Sequence, residues 1–356
     1  MSENSRWSLS EGFNTAPLRE QREQERLHHC ANISEVLGVD SDLPESERGE
    51  QLITPENSVV TYDRALQRPD CPPVIIGMPH AGELVPQNLL DRANDPAIFG
   101  GQAGLDTGTT SIFAPRNDEF VAARARVSRI VVDLNREPTD FSGKSPSNKG
   151  ICWENNMTGE PIYKDGQDLT QAEKEALIND LYPAYFQKLH ALAGSLMDRP
   201  GDEPNKEILF IDGHSFPGDE AVEAYGITAE QPKPLIIVGT GKGKVEIPGA
   251  REAVVQALIQ KLEELISDEV VAGESYLSKK VALNEVWTGT KNIKYWGDKG
   301  EPLNSAGQSS QAIQIEVNRM FFMKDGKYDQ ARLDLLHSAM YEAIKAATEA
   351  MQATAK

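Results

Sequence analysis

Cysteine is scarce: Cys30, Cys71 and Cys152 are the three in 356 residues, an odd number without C-x-x-C spacing. Neither a disulfide framework nor a thiolate zinc site follows from that count. Long apolar runs are missing too. None approaches the ~20 residues that span a bilayer, and the opening MSENSRWSLSEGFN lacks the apolar core of a secretory signal. These absences set the expectation of a soluble, cytoplasmic chain that engages no membrane. Basic charge is short: 36 Lys and Arg face 55 Asp and Glu, a net charge of −19 that repels nucleic acid. An anionic substrate would therefore need cations clustered at its own pocket. The glycines of FGGQAGLDTGTTSIFA form neither G-x-G-x-x-G nor a Walker A loop, so a nucleotide-phosphate cradle is unsupported.

What is present divides into a polar arm and a patterned domain. Residues 1–57 read as an amino-terminal arm, partly helical, with Arg19 to Leu37 as an amphipathic helix whose apolar stripe is thin. Such an arm packs on the main domain or on a second subunit. Adjacent helical residues diverge, which places His28-His29-Cys30 at a surface rather than around a metal. Residues 58–352 read as a single α/β domain of short β-branched runs alternating with helices. The clearest helix opens on the capping box Thr170 to Glu173 and carries His190 among Tyr185, Leu189 and Leu192, a packed helix histidine or a ligand.

Several apolar runs end in chemically capable residues. Val74 to Met78 is followed by His80 and Glu83, Ile130 to Leu134 by Asn135 and Arg136, and Ile208 to Ile211 by Asp212 and His214. In open α/β sheets, ligands bind outside the carboxyl ends of the strands. Two imidazoles and a carboxylate are ligands that zinc accepts, leaving a position for water. H-x-x-E alone is weak, since about one such pair is expected by chance in this composition. The agreement of several strand ends carries more weight. On that reading His80, Glu83 and His214 hold the metal, and Asp212 orders His214 or its turn. Asn135 and Arg136 grip a carboxylate. Asp106, in the glycine-rich loop, is a site residue or a turn cap. Glu316 lies in AIQIEV, where an unpaired buried carboxylate would be costly, with Arg319 as its candidate partner.

As a set, PHAGELVP, SRIVVDLNR, the GEPIY segment, IDGHS and QIEVNR resemble the N-formylglutamate amidohydrolase family, from about Val59 to Thr348, within the wider zinc carboxypeptidase superfamily. Ala81 stands where the family usually has Ser, and TGTKNIKYWG where a more glycine-rich loop is expected. The resemblance implies a three-layer α/β/α sandwich with a central mixed sheet, zinc-carboxypeptidase-like (phosphorylase/hydrolase-like). It implies one divalent ion, zinc, a small-molecule substrate bearing carboxylates, and hydrolysis of N-formyl-L-glutamate to glutamate and formate in histidine degradation. Glu316 is then the base, and Arg129, or less directly Arg126, stabilises the oxyanion. Another N-acyl amino acid or a short peptide as substrate, or a silent binder of acidic amino-acid derivatives, stays open. A second cation for a dicarboxylate is not identified.

Overall fold

The computed structural model describes residues 28–100, 105–141, 150–156, 159–199, 207–218, 228, 230–242, 249–289, 291–297 and 309–354. The strands of its two larger sheets, in chain order, are β1 (His28–Asn32), β2 (Gln51–Ile53), β3 (Val59–Tyr62), β4 (Val74–Met78), β5 (Leu84–Pro86), β6 (Val121–Ala125), β7 (Glu207–Phe216), β8 (Ile236–Gly239), β9 (Val281–Leu283) and β10 (Ser309–Asn318). Seven of them make one mixed sheet in the order β3-β6-β4-β7-β10-β8-β9. β6, β4, β7 and β10 run parallel, while β3 is antiparallel to β6, β8 is antiparallel to β10, and β9 pairs parallel with β8. The central strands β4 and β7 are buried along their whole length, as near-continuous apolar runs in parallel sheets must be.

Helices cover both faces, giving the expected three layers. On one side Leu177, Tyr185 and Leu189 of the helix Gln171–Met197 join Ile75, Ala123 and Phe210 in a common core. Thr170 and Glu173 close the capping box at its start. On the other side the helices Glu252–Leu265 and Gln330–Thr354 bury Val254, Leu258, Leu336 and Met340 against Ile76, Ile211 and Ile313.

Two expected elements differ. Ile130 to Leu134 is not a strand; Val131 N donates to Ser128 O at 3.0 Å and Asp133 N to Ile151 O at 2.7 Å. Its apolar side chains plug the first core from a turn, which satisfies their hydrophobicity without a ladder. The strand lies just upstream in VAARA, whose alanines and arginine disguise it. The arm also differs. His28 to Asn32 is a strand, with the helix confined to Ile33–Leu37, and the remainder of the expected arm helix lies outside the described residues. β1 pairs antiparallel with β2 and with β5, so His28 to Asn32 is fixed by hydrogen bonds to the segment just after Glu83. A backbone ladder to β5 outweighs the weak apolar stripe that suggested a helix.

Candidate metal centre

The four parallel strands deliver their carboxyl ends to one edge of the sheet. β4 ends at Met78, and two residues on stands His80. β7 and β10 pair in register, so that Asp212 faces Gln314 and His214 faces Glu316 on the same side of the sheet. Gly82 lets the chain turn immediately after His80: a Cβ there would lie 2.2 Å from the carbonyl oxygen of Val127. Gly108, at φ +80°, makes the turn between Asp106 and the helix Thr109–Phe113. The Asp106 amide donates to His80 O at 3.2 Å, which ties the two segments together.

Among the described residues, the side chains that could share one metal ion are His80, Asp106 and His214, all buried, with ligand atoms within 4.8 Å of one another. Asp106 Oδ2 lies 2.8 Å from His214 Nδ1 and 3.4 Å from His80 Nδ1. The opposite ring nitrogens are held by other carboxylates. His80 Nε2 is 2.7 Å from Asp133 Oδ1, and His214 Nε2 is 3.0 Å from Asp212 Oδ2. Those contacts orient each ring with Nδ1 toward Asp106, so that loss of the Nδ1 proton would present its lone pair to a metal, as in metal-binding imidazoles whose other nitrogen donates to a carboxylate. His80 Nδ1 is buried without a hydrogen-bond partner, which is costly unless something else satisfies it. The donor set and its orphaned nitrogen fit a divalent cation.

The electrostatics agree. Asp106, Asp133, Asp212 and Glu316 crowd around two imidazoles, with Arg129 bridging Asp106 Oδ1 at 3.3 Å and Asp133 Oδ2 at 3.0 Å. Burial pushes Asp106 and Asp133 up, but cationic neighbours more than offset it and hold both carboxyls well below the usual range: chiefly His80 for Asp106, and Arg129 then His80 for Asp133. For His214 burial works downward, yet Asp212, Glu316 and Asp106 raise its pKa well above the ordinary imidazole value. A proton is thus held where a metal would supply positive charge. Burial lifts Glu316 to about 7, against the pull of His214, while Gln314 Nε2 donates to its Oε1 at 2.6 Å.

Of the residues singled out above, Asp106, expected only as a supporting group, joins the two histidines. Glu83 does not join that trio. Its carboxylate turns to the arm, accepting from Ser41 Oγ at 2.7 Å and the Asp42 amide at 2.9 Å. The chain enters β5 directly after it, its own carbonyl accepting from Ile33 N at 3.0 Å, and this aims the side chain at the arm. Arg129 sits on a turn, not on a strand, and its guanidinium lies 5.1 Å from the Trp153 ring centroid. Arg126 points to the arm, 3.0 Å from Asn57 O and 3.2 Å from Glu47.

Asn135 is fastened to the cage. Its Nδ2 is 3.4 Å from both Asp212 Oδ2 and His214 Nε2, and its Oδ1 accepts from Asn292 N at 3.3 Å. Arg136 beside it is half-buried, with its carbonyl accepting from Tyr182 Oη at 3.1 Å. Arg319 donates to Leu105 O at 2.6 Å, bracing the residue before Asp106. His190 meets Tyr295 Oη at 2.7 Å and packs on Trp296, and burial lowers its pKa.

Asp133 and Asn292 escaped the sequence reading. Asn292 Nδ2 donates to Asp212 Oδ1 at 2.9 Å, so it steadies the group that steadies His214. Asp133 carried a legible signal, a carboxylate inside an apolar run, the same signal that singled out Glu316.

Comparison with known proteins places the chain and its fold. The family model of N-formylglutamate amidohydrolase matches residues 72–323. The crystal structure of N-formylglutamate amidohydrolase from Ralstonia eutropha JMP134 superposes with a TM-score of 0.59 at 21% identity, covering 83% of this chain and 99% of that one. A gene product from Agrobacterium tumefaciens superposes with a TM-score of 0.53 at 14% identity, covering 84% of this chain and 96% of that one. No curated protein matches.

Proposed function

Because the chain belongs to the N-formylglutamate amidohydrolase family, and therefore hydrolyses an amide, we propose that its substrate is an N-acyl acidic amino acid, N-formyl-L-glutamate first, and that it works with one zinc ion held by His80, Asp106 and His214. The observation that carries this reading is the convergence of those three side chains beside Glu316. Zinc, when bound, supplies an acidified water and a Lewis acid for the amide carbonyl.

The chain's own residues do the rest. Asp133 and Asp212 fix the imidazoles through their Nε2 hydrogens. Glu316 takes the proton of the attacking water and returns it to the leaving amine nitrogen, so that amide and water give amine and carboxylate in balance. Arg129, engaged with Asp106 and Asp133, is a positioning residue in this reading and not the oxyanion donor. Asn135 plays a similar part for Asp212, which leaves Arg136 to grip a substrate carboxylate. For the second carboxylate we assign Lys291, whose Nζ is 3.4 Å from Glu137 and 4.5 Å from the Tyr295 ring centroid, beside the Asn135-Arg136 turn.

A role in histidine degradation and a cytoplasmic location belong to the same proposal. Among the described residues, no helix is long and apolar enough to cross a membrane. The test is release of the free amino acid, read with ninhydrin, from a panel of N-acyl amino acids, with formate detection for the formyl substrates, with and without zinc. Turnover confined to N-formylglutamate supports the reading. Turnover of apolar N-acyl amino acids instead would give the site to a different deacylase, and binding of the panel without turnover would make the chain a silent binder.

A further inference from the structure

The family match begins at residue 72, yet the segment before it reaches the metal centre through an unbroken chain of hydrogen bonds. Glu83, three residues beyond His80, holds Ser41 and the Asp42 amide. Asp42 in turn accepts from the amides of Thr110 and Ser111, the latter at 3.0 Å, and from the Ser111 hydroxyl. Those are the orphan amides of the short helix Thr109–Phe113, which otherwise lacks a side-chain cap. The Thr109 amide donates to Asp106 O at 3.2 Å, so the capped turn is the turn that presents Asp106. The segment is also anchored by Glu47, which bridges Arg124 at 2.6 Å and Arg126 at 3.2 Å.

We propose that residues 28–57 are a working part of the metal centre, and that Asp42 is a positioning residue that sets Asp106 against His80 and His214. The proposal rests on the reading of those three residues as metal ligands. Its distinguishing feature is that the arm has other fastenings that do not lead to Asp106. Glu47 is one: the Arg124 and Arg126 side chains that it bridges bond otherwise to Tyr62, Asn57 and Gln51, and not to the turn that presents Asp106. A residue that merely glues the arm down should behave like Glu47.

The experiment compares the zinc affinity of metal-free protein, by chelator competition, and the d–d absorption of the cobalt-loaded protein, in wild type, Asp42→Asn, Ser111→Ala and Glu47→Gln. Asp42→Asn keeps the size of the side chain but turns an amide donor toward amide donors. It should weaken zinc binding by about tenfold or more, the usual cost of disturbing a residue behind a ligand, and shift the cobalt bands. Ser111→Ala, which removes one of the three bonds, should cost about threefold, as one net hydrogen bond does. Glu47→Gln should leave both readouts at wild-type values while lowering Tm. Unchanged affinity and bands in Asp42→Asn, or an equal loss in Glu47→Gln, overturns the proposal. Should Asp42→Asn fail to fold, unchanged affinity in Ser111→Ala does the same. A wild-type protein that takes up no zinc overturns the metal-centre reading itself, and this proposal with it.

Discussion

At the scale of single residues the account turns on which carboxylate does what. Glu316 is buried with its pKa lifted to about 7, and it stands opposite His214 in the strand register. Glu316→Gln keeps the shape and removes the proton acceptor. Zinc content should stay at the wild-type level while kcat falls by about 10²–10⁴, the span that general acid–base catalysis supplies. Unimpaired kcat would remove Glu316 from the mechanism. Asp133 makes a second case: its carboxylate fixes the His80 tautomer and accepts from Arg129, so Asp133→Asn should weaken zinc binding by about 10–100-fold in a competition titration.

At the scale of elements, the segment Lys291–Trp296 is pinned to the cage through Asn292, and this places Lys291 near the Asn135-Arg136 turn. If Lys291 meets the second carboxylate, Lys291→Met should raise KM for N-formylglutamate about tenfold or more, since a hydrogen bond to a charged group contributes ~1.5–3 kcal/mol. KM for N-formylglutamine should hardly move, and an equal rise for both substrates would refute the assignment. The turn after β4 gives a stability prediction. A methyl on Gly82 would overlap the Val127 carbonyl, so Gly82→Ala should cost about 1–3 kcal/mol in denaturant unfolding of the metal-free protein.

Legibility also divides by element. β4, β7 and β10 could be read from their β-branched runs, and with them His80, His214 and Glu316. β6 could not, because alanine and a buried arginine do not look like a central strand, and the apolar turn after it does. The carboxylate that stands beside the two histidines was hard to read for a related reason. Proximity in sequence suggested Glu83, but side-chain direction is set by β5 pairing with an arm more than forty residues upstream. Asp106 was visible only as a polar residue in a glycine-rich loop.

At the scale of the molecule, titration links the site to stability. In the metal-free protein Glu316 has its folded pKa raised from 4.5 to about 7, so between those values the folded state holds a proton that the unfolded state has released. His214, raised well above 6.5, likewise contributes stability that is complete below its unfolded value and lost as pH rises through the folded one. Both make metal-free protein less stable as pH rises. A bound cation replaces that proton, and metal affinity grows as ligands deprotonate. The gap in Tm between zinc-loaded and metal-free protein should therefore widen from about pH 6 to about pH 8, as calorimetry would show. On the acid side, Asp106 and Asp133 are held low, so their stabilisation is present above the ordinary carboxylate range and lost as pH falls through their folded values.

The most direct measurement is zinc per chain, by elemental analysis, in wild type, Asp106→Ala and Glu83→Gln after dialysis against limiting zinc. The account predicts one equivalent in the wild type, near zero in Asp106→Ala and retention in Glu83→Gln. Full retention in Asp106→Ala, with loss in Glu83→Gln, would contradict it.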